Sequence, residues 1–251
     1  MRIDDFLVKK GFFESRTKSK RAVLCGTVYV DGKAITKPSF DLEGENHEIT
    51  VTAEEKFVSL GGFKLEKALA DFKFDVKGMI VADLGASTGG FTDCLIKNGA
   101  KTVYAVDLNP DLLHEKLKND ERVVSVIKNV KDLVPSDFNK LDLITADLSF
   151  ISVKSLLGII YGLLSPDKHA IILIKPQFEV GEKRRFKNGI IKDEALRKNV
   201  CKNVYEQALS VGFSVIDFTV APIVKGKNVE YLMLLEKSGG KSSEFDKLYK
   251  T

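Results

Sequence analysis

The sequence predicts an α/β protein: a mostly parallel sheet that ends in an antiparallel hairpin, with a small α+β module ahead of it. Three observations predict this. The apolar run Met79–Leu84 passes through the small-residue turn Gly85-Ala86-Ser87-Thr88-Gly89-Gly90 into a helix, which is how a nucleotide-binding sheet begins. Lys101–Asp107, Arg122–Ile127, Leu141–Asp147 and Lys168–Lys175 follow as strands, and the last two are almost continuously apolar, as expected where both sheet faces are covered. Finally, eight residues separate Phe213–Val220 from Val229–Glu236, too few for a crossover between parallel strands.

The front module, residues 1–55, has its own pattern. Ile3, Phe6 and Leu7 fall at helical spacing, and Gly11 ends that helix. Ser15 is placed to cap a second helix, Arg16–Cys25, with Ala22 and Val23 inward. Val28–Val30, the turn Asp31-Gly32 and Lys33–Ile35 read as a hairpin, and His47–Thr52 as one more strand. The module is nearly neutral, with 9 basic and 10 acidic residues. Yet Lys9, Lys10, Arg16, Lys18, Lys20 and Arg21 are accompanied by a single acid, Glu14, over that stretch. One face is therefore expected to be positive with the acids elsewhere, either tracking phosphates or merely solvated. The order R-x-D-x-F-L-V-x-x-G from Arg2 to Gly11, then Ser15-Arg16, then G-x-V-x-V-D-G-K from Gly26 to Lys33 resembles the S4 RNA-binding domain. That resemblance implies contact with structured RNA through the two-helix face, Arg2 included.

Residues 56–62 read as a short linker, 63–238 as the main domain and 239–251 as a C-terminal tail. Lys64–Phe72 has an amphipathic pattern, with Leu65, Ala68, Leu69 and Phe72 inward. Asp83, near the end of the first main strand, is expected to take part in cofactor binding with the turn that follows. The turn after it lacks G-x-G-x-x-G and has no lysine beyond its glycines, which excludes a pyrophosphate fingerprint and a P-loop. It suits a ligand without pyrophosphate, such as S-adenosylmethionine. Asp107, with Leu108 beside it, ends the second strand, where an acid accepts hydrogen bonds from a ribose diol. Asn129-Val130 follows the third strand, where an adenine edge would lie. Asp147 and Lys175 end their strands and are expected to face the same crevice. Leu156–Leu164 reads as a buried helix face, and a long helix over Asp193–Val211 leads to the hairpin. These parts together make a Rossmann-like methyltransferase architecture.

Composition bounds the function classes. Hydrophobic content of 44%, charged content of 29% and a net charge of +4 describe a globular chain without a strong overall charge bias. Cys25, Cys94 and Cys201 are far apart and form no metal-ligand spacing, so reduced thiols in a cytoplasmic protein are expected and no metal site. The N-terminus lacks a signal-peptide pattern, and no apolar run approaches a membrane span, so no membrane partner is expected. The sequence specifies no copy number.

Lys64, Asp147, Lys175 and Glu230 each stand at the end of an apolar element. Methyl transfer to a ribose hydroxyl needs alignment of the reactants and a base for the hydroxyl proton. A lysine, ordinarily near ~10.4, becomes such a base only if its surroundings favour the neutral form by roughly 3–5 kcal/mol. The segments GGFKLEKAL, DLGASTGGFTD, ADLSFIS, IKPQFEVG and KNVEYL, in that order, closely resemble the TlyA family of rRNA 2′-O-methyltransferases. That family joins an S4 domain to an FtsJ-like methyltransferase domain. The resemblance implies a catalytic tetrad of Lys64, Asp147, Lys175 and Glu230, with Lys175 as base. It implies S-adenosylmethionine at Gly85–Phe91, Asp107 and Asn129, and cytidine ribose in ribosomal RNA as target. The sequence departs from the family pattern at Leu60, where arginine is usual, and at Leu108-Asn109-Pro110-Asp111, where glycines are usual. Its short front end resembles the subgroup acting on large-subunit RNA. In the basic stretch Glu179–Lys192, Lys183, Arg184, Arg185 and Lys187 are expected to hold RNA backbone. The alternative class is a non-catalytic ribosome-assembly protein that keeps the fold; a nicotinamide oxidoreductase would need the missing pyrophosphate glycines.

Overall fold

The computed structural model describes residues 1–24, 26–44, 46–52, 56–181, 186–224, 226–238 and 242–249; the side chains of Arg21 and Lys187 also lie outside that description. The front module has α1 (Ile3–Lys9) and α2 (Arg16–Leu24) over a three-stranded antiparallel sheet of β1 (Val28–Val30), β2 (Lys33–Ala34) and β3 (Ile49–Val51), in the order β2-β1-β3. Ser15 Oγ accepts from Lys18 N at 3.3 Å and starts α2. Asp31 and Gly32 have φ of 51° and 75°, the two left-handed positions of a tight hairpin turn, and Val30 pairs with Lys33 across it. Ile3, Phe6, Leu7, Val23 and Val28 close a small core.

The chain enters the main domain earlier than the linker pattern suggests. Phe57 is only 1% exposed, in one core cluster with Leu65 and Phe91, and α3 runs over Gly61–Phe72, three residues ahead of the expected start. Then come β4 (Ile80–Leu84), α4 (Gly90–Lys97), β5 (Thr102–Asp107), the single turn α5 (Glu115–Lys118), β6 (Val123–Ile127), β7 (Leu143–Ala146), α6 (Leu157–Leu163), β8 (His169–Ile174), the single turn α7 (Pro176–Glu179), α8 (Glu194–Val211), β9 (Ser214–Val220) and β10 (Tyr231–Glu236). The sheet order is β6-β5-β4-β7-β8-β10-β9, and β10 alone runs antiparallel to its neighbours. Neighbouring strand residues alternate between two cores. Val81, Leu143, Ile171 and Leu232 pack with Leu65 and Leu69 of α3 and Leu95 of α4. Ala82, Ile144, Ile172 and Met233 pack with Leu157 and Ile160 of α6 and Val204 and Ala208 of α8. Helices on both faces explain why these strands are apolar throughout.

Residues 242–249, expected to trail as a tail, fold back. α9 (Phe245–Leu248) packs Phe245 against Tyr249 and Phe218, and Tyr249 Oη meets Tyr231 Oη at 2.9 Å. Among the described residues no helix is long and apolar enough to cross a membrane.

Candidate active site

Strand register assembles the site. Leu84 of β4 lies beside Ala146 of β7, so the glycine turn and Asp147 leave the sheet side by side. Ile174 of β8 lies opposite Tyr231 of β10, so Lys175 and Glu230 are the next residues out on adjacent antiparallel strands. The first turn of α3 brings Lys64 across the same edge. The four side chains form one ion chain: Lys175 Nζ to Asp147 Oδ1 at 2.5 Å, Asp147 Oδ2 to Lys64 Nζ at 3.7 Å, and Lys64 Nζ to Glu230 Oε2 at 2.7 Å. Lys175 also donates to Ser149 Oγ at 2.9 Å, and Gln177 Nε2 donates to Glu230 Oε1 at 3.4 Å. Burial alone would lower the Lys64 pKa, but the charges of Asp147 and Glu230 outweigh it and hold the ammonium above its ordinary value. Lys64 is therefore a standing cation.

These groups line a cavity of about 1000 Å³ whose wall includes Gly85–Thr88, Gly90, Phe91, Asp147, Ser149, Lys175, Asn228 and Glu230. The lining carries four lysines, Lys64, Lys67, Lys175 and Lys227, against three acids, Glu66, Asp147 and Glu230, and none of the lysines lies on the turn itself. A pyrophosphate would find no excess positive charge at the turn, whereas a sulfonium-bearing ligand meets carboxylates and a backbone turn. The residues present thus fit S-adenosylmethionine.

The turn itself is shaped by protein packing as much as by any ligand. A Cβ on Gly90 would stand 2.3 Å from Ser59 Oγ and 3.0 Å from Gly62 N, so only glycine lets α4 meet α3 here. Gly89, with φ of 91°, turns toward Leu113 and Leu117 and lies outside the cavity wall. Asp83 is also displaced from its expected role. It is 0% exposed, and its carboxylate accepts from Thr92 Oγ1 at 2.6 Å and Thr145 Oγ1 at 2.9 Å, which ties α4 to β7 beneath the turn. Burial pushes its pKa up to about 6 despite those hydroxyls. Asp107 accepts from Ser87 N at 2.8 Å and Asn109 N at 3.0 Å and borders a shallow hollow with Ala86 and Ser125–Ile127. Each of its oxygens keeps an acceptor direction for a ribose hydroxyl. Leu108 is 65% exposed and Asn129 caps a turn through Lys131 N, while Val130 is buried in the core; none of the three lines either cavity.

The expected basic face is partly paired within itself. Arg2 forms two hydrogen bonds of 2.9 Å with fully buried Asp4, and Arg16 reaches Asp5 at 2.6 Å. Burial would raise the Asp4 carboxyl, but the bonds and charges of Arg2 and Arg16 hold it below its ordinary value. Lys20 lies 4.0 Å from Asp4, and Lys18 pairs with Glu14. The acids are therefore not elsewhere: they come from the helix just before. Lys9 and Lys10 stand outside these pairs on exposed positions. Lys183, Arg184 and Arg185 lie outside the described residues, as do the side chains of Arg21 and Lys187.

Sequence reasoning missed Ser149, Phe150, Gln177, Glu179 and Asn228. Their spacing was available: Ser149 and Asn228 stand two residues from Asp147 and Glu230, and Gln177 two from Lys175. Phe150 is 90% exposed at φ 66°, with its ring 5.2 Å from Phe178. Glu179 accepts from Ser152 Oγ at 2.5 Å and Val153 N at 2.7 Å, and burial raises its carboxyl pKa. Cys94 and Cys201 are buried with thiol pKa values pushed up by that burial; Cys25 lies outside the described residues.

Compared with known proteins, residues 57–237 match the FtsJ-like methyltransferase family and residues 1–49 match the S4 domain. The chain is 41% identical over 236 residues to hemolysin A of Brachyspira hyodysenteriae, which spans 92% of this chain and 98% of that protein. It is 36% identical over 238 residues to a Mycobacterium tuberculosis protein named 16S/23S rRNA (cytidine-2′-O)-methyltransferase TlyA, spanning 93% of this chain and 89% of that one. A solved structure from Streptococcus thermophilus, described as a candidate hemolysin, aligns with a TM-score of 0.73 at 37% identity, covering 99% of this chain and 94% of that one.

Proposed function

We infer the reaction from one premise: the chain belongs to the TlyA family, an S4 domain joined to an FtsJ-like, S-adenosylmethionine-dependent methyltransferase domain. The proposed reaction is methylation of a cytidine 2′-hydroxyl in ribosomal RNA, large-subunit RNA being the first substrate to test. The observation that carries it is the ion chain Lys175–Asp147–Lys64–Glu230 on the rim of the glycine turn.

When bound, S-adenosylmethionine supplies an electrophilic methyl group on a positively charged sulfur, which becomes a neutral thioether after transfer. Gly85–Thr88, Gly90 and Phe91 are proposed to hold it, with Asp107 on its ribose. Lys175, as the free amine, takes the proton of the 2′-hydroxyl. Asp147 orients Lys175 and shares its other oxygen with Lys64, whose fixed positive charge keeps both carboxylates ionised and in place. The exposed ring of Phe150, three residues after Asp147 in the chain and against Phe178, can stack on a base drawn out of its helix. Residues 1–55 are proposed as the RNA grip and 63–238 as the catalytic domain. Phosphate contacts are proposed for Lys9, Lys10, Lys18 and Lys20, and in the later basic stretch of the sequence for Lys183, Arg184, Arg185 and Lys187.

The test is incubation of separated small and large ribosomal subunits, and their naked RNAs, with tritiated methyl donor, followed by mapping of 2′-O-methyl sites. Label in cytidine ribose, lost with Lys175→Ala while RNA binding persists, is expected. No label in any RNA would favour the assembly-protein reading instead.

A further inference from the structure

The loop after β7 and the turn α7 after β8 are joined at three successive levels. Lys175 Nζ donates to Ser149 Oγ at 2.9 Å; the Phe150 and Phe178 rings lie 5.2 Å apart; Glu179 takes Ser152 Oγ and Val153 N. Lys175 opens α7 and Glu179 closes it, so both ends of this single turn are fixed to one loop. Ser149 is thus held at a set place beside the amine, not left on a free strand end.

Consider the nitrogen of Lys175. It is tetrahedral, with one bond to Cε and three positions left. In the neutral amine these are two N–H bonds and a lone pair. Ser149 Oγ at 2.9 Å accepts at one position, while Asp147 Oδ1, 2.5 Å away, is an ion-pair partner without hydrogen-bond alignment. With one N–H held by Ser149, the negative charge of Asp147 repels the lone pair and keeps the second N–H on its own side, which leaves the lone pair the third position; Asp147, Ser149 and Lys175 all line the cavity. The other groups around it do not compete for that position. Phe178 offers only its ring, 6.0 Å from Nζ. Lys64 is a donor engaged by Asp147 and Glu230. Asp147 alone leaves the amine free to rotate about the Cε–Nζ bond.

We propose that Ser149 is a positioning residue for methyl transfer: its hydroxyl oxygen, the hydrogen-bond acceptor of Lys175 Nζ beside the charge of Asp147, fixes the rotation of the amine so that the lone pair faces the substrate hydroxyl. The proposal rests on the reading of Lys175 as the base. In the step concerned, the substrate O–H bond breaks, a new N–H bond forms at the third position, and the amine becomes an ammonium. The oxygen keeps the electron pair with which it bonds the incoming methyl carbon. Ser149 neither gains nor loses a proton.

The experiment compares wild type with Ser149→Ala, Ser149→Thr and Ser149→Val on ribosomal subunits with tritiated donor. Thr and Val have nearly the same shape and differ in the hydroxyl, so a packing effect moves both alike. We expect kcat to fall about ten- to a hundredfold in the Ala and Val variants. The KM for RNA and the affinity for S-adenosylhomocysteine should stay within about twofold of wild type, and the Thr variant should recover most of the rate. Equal rates for Thr and Val, an Ala variant as fast as wild type, or a loss confined to KM would each overturn the role of Ser149 while leaving the reaction standing. A wild-type protein that labels no RNA would instead overturn the reaction, and this role with it.

Discussion

Replacing Asp83 with asparagine tests the packing beneath the cofactor turn, because the expected effect has a sign and a size. The carboxyl is 0% exposed, and burial lifts its pKa from 3.8 to about 6. The native state therefore holds this proton where the unfolded chain has already released it. A raised carboxyl favours the native state at low pH: its contribution is fully present below about 3.8 and is lost as pH climbs through about 6. At about 1.4 kcal/mol for each tenfold change in proton affinity, the whole swing is about 3 kcal/mol. Asp83→Asn removes the titration and keeps the shape; the Thr92 and Thr145 hydroxyls can each donate or accept. Urea unfolding of both proteins should be measured at pH 4, 5, 6 and 7.5. The stability of the variant relative to wild type should rise by about 2.4 kcal/mol across that range, most of it between pH 4 and 6. A difference that stays flat, or runs the other way, would show that the carboxyl is not buried as described.

Three further outcomes follow from the geometry. Gly90→Ala puts a methyl 2.3 Å from Ser59 Oγ and 3.0 Å from a backbone nitrogen, so unfolding free energy should drop by about 1–3 kcal/mol, with part regained when Ser59→Ala is added. Lys64→Met leaves Asp147 and Glu230 facing each other without their shared cation; methyl transfer should be lost while S-adenosylhomocysteine still binds, as calorimetry would report. Removing residues 242–251 strips Phe245 and Tyr249 from Phe218 and Tyr231, and thermal or urea unfolding should register a loss of at least about 3 kcal/mol.

The tetrad was legible in the sequence because each member interrupts or flanks an apolar element at the point where a strand or helix meets the crevice. A lysine after HAIILI or an acid after LITA has no structural reason to be there, so function is the economical reading. What the sequence withheld was relative position between elements. Period-2 alternation says which face a residue takes, but Lys175 beside Glu230 depends on the pairing of Ile174 with Tyr231, a property of two strands far apart in the chain. Asp83 misled for the same reason. An acid at a strand end looks like a ligand group until Thr92 from α4 and Thr145 from β7 are seen to take both its oxygens. The basic stretch misled through counting: charges tallied along one segment ignored Asp4 and Asp5, which a neighbouring helix brings against Arg2 and Arg16. Phe245 and Tyr249 carried a signal, two aromatics in a polar end, but their partners could be found only in space.

The order of charges along the ion chain bears on why two lysines are present when one base suffices. With both protonated, two ammonium groups balance two carboxylates. In the proposed reaction Lys175 acts as the free amine, so one ammonium, Lys64, then stands against two carboxylates beside the turn. On that proposal, the substrate proton taken by Lys175 would return the charge of the four groups to zero. This holds only while Lys64 keeps its proton. Were Lys64 neutral as well, the two carboxylates would stand uncompensated, and their charge would draw a proton back onto Lys175. The carboxylates that raise the Lys64 pKa keep Lys64 as the constant charge, which is what the proposed role of Lys175 as base requires of its neighbour.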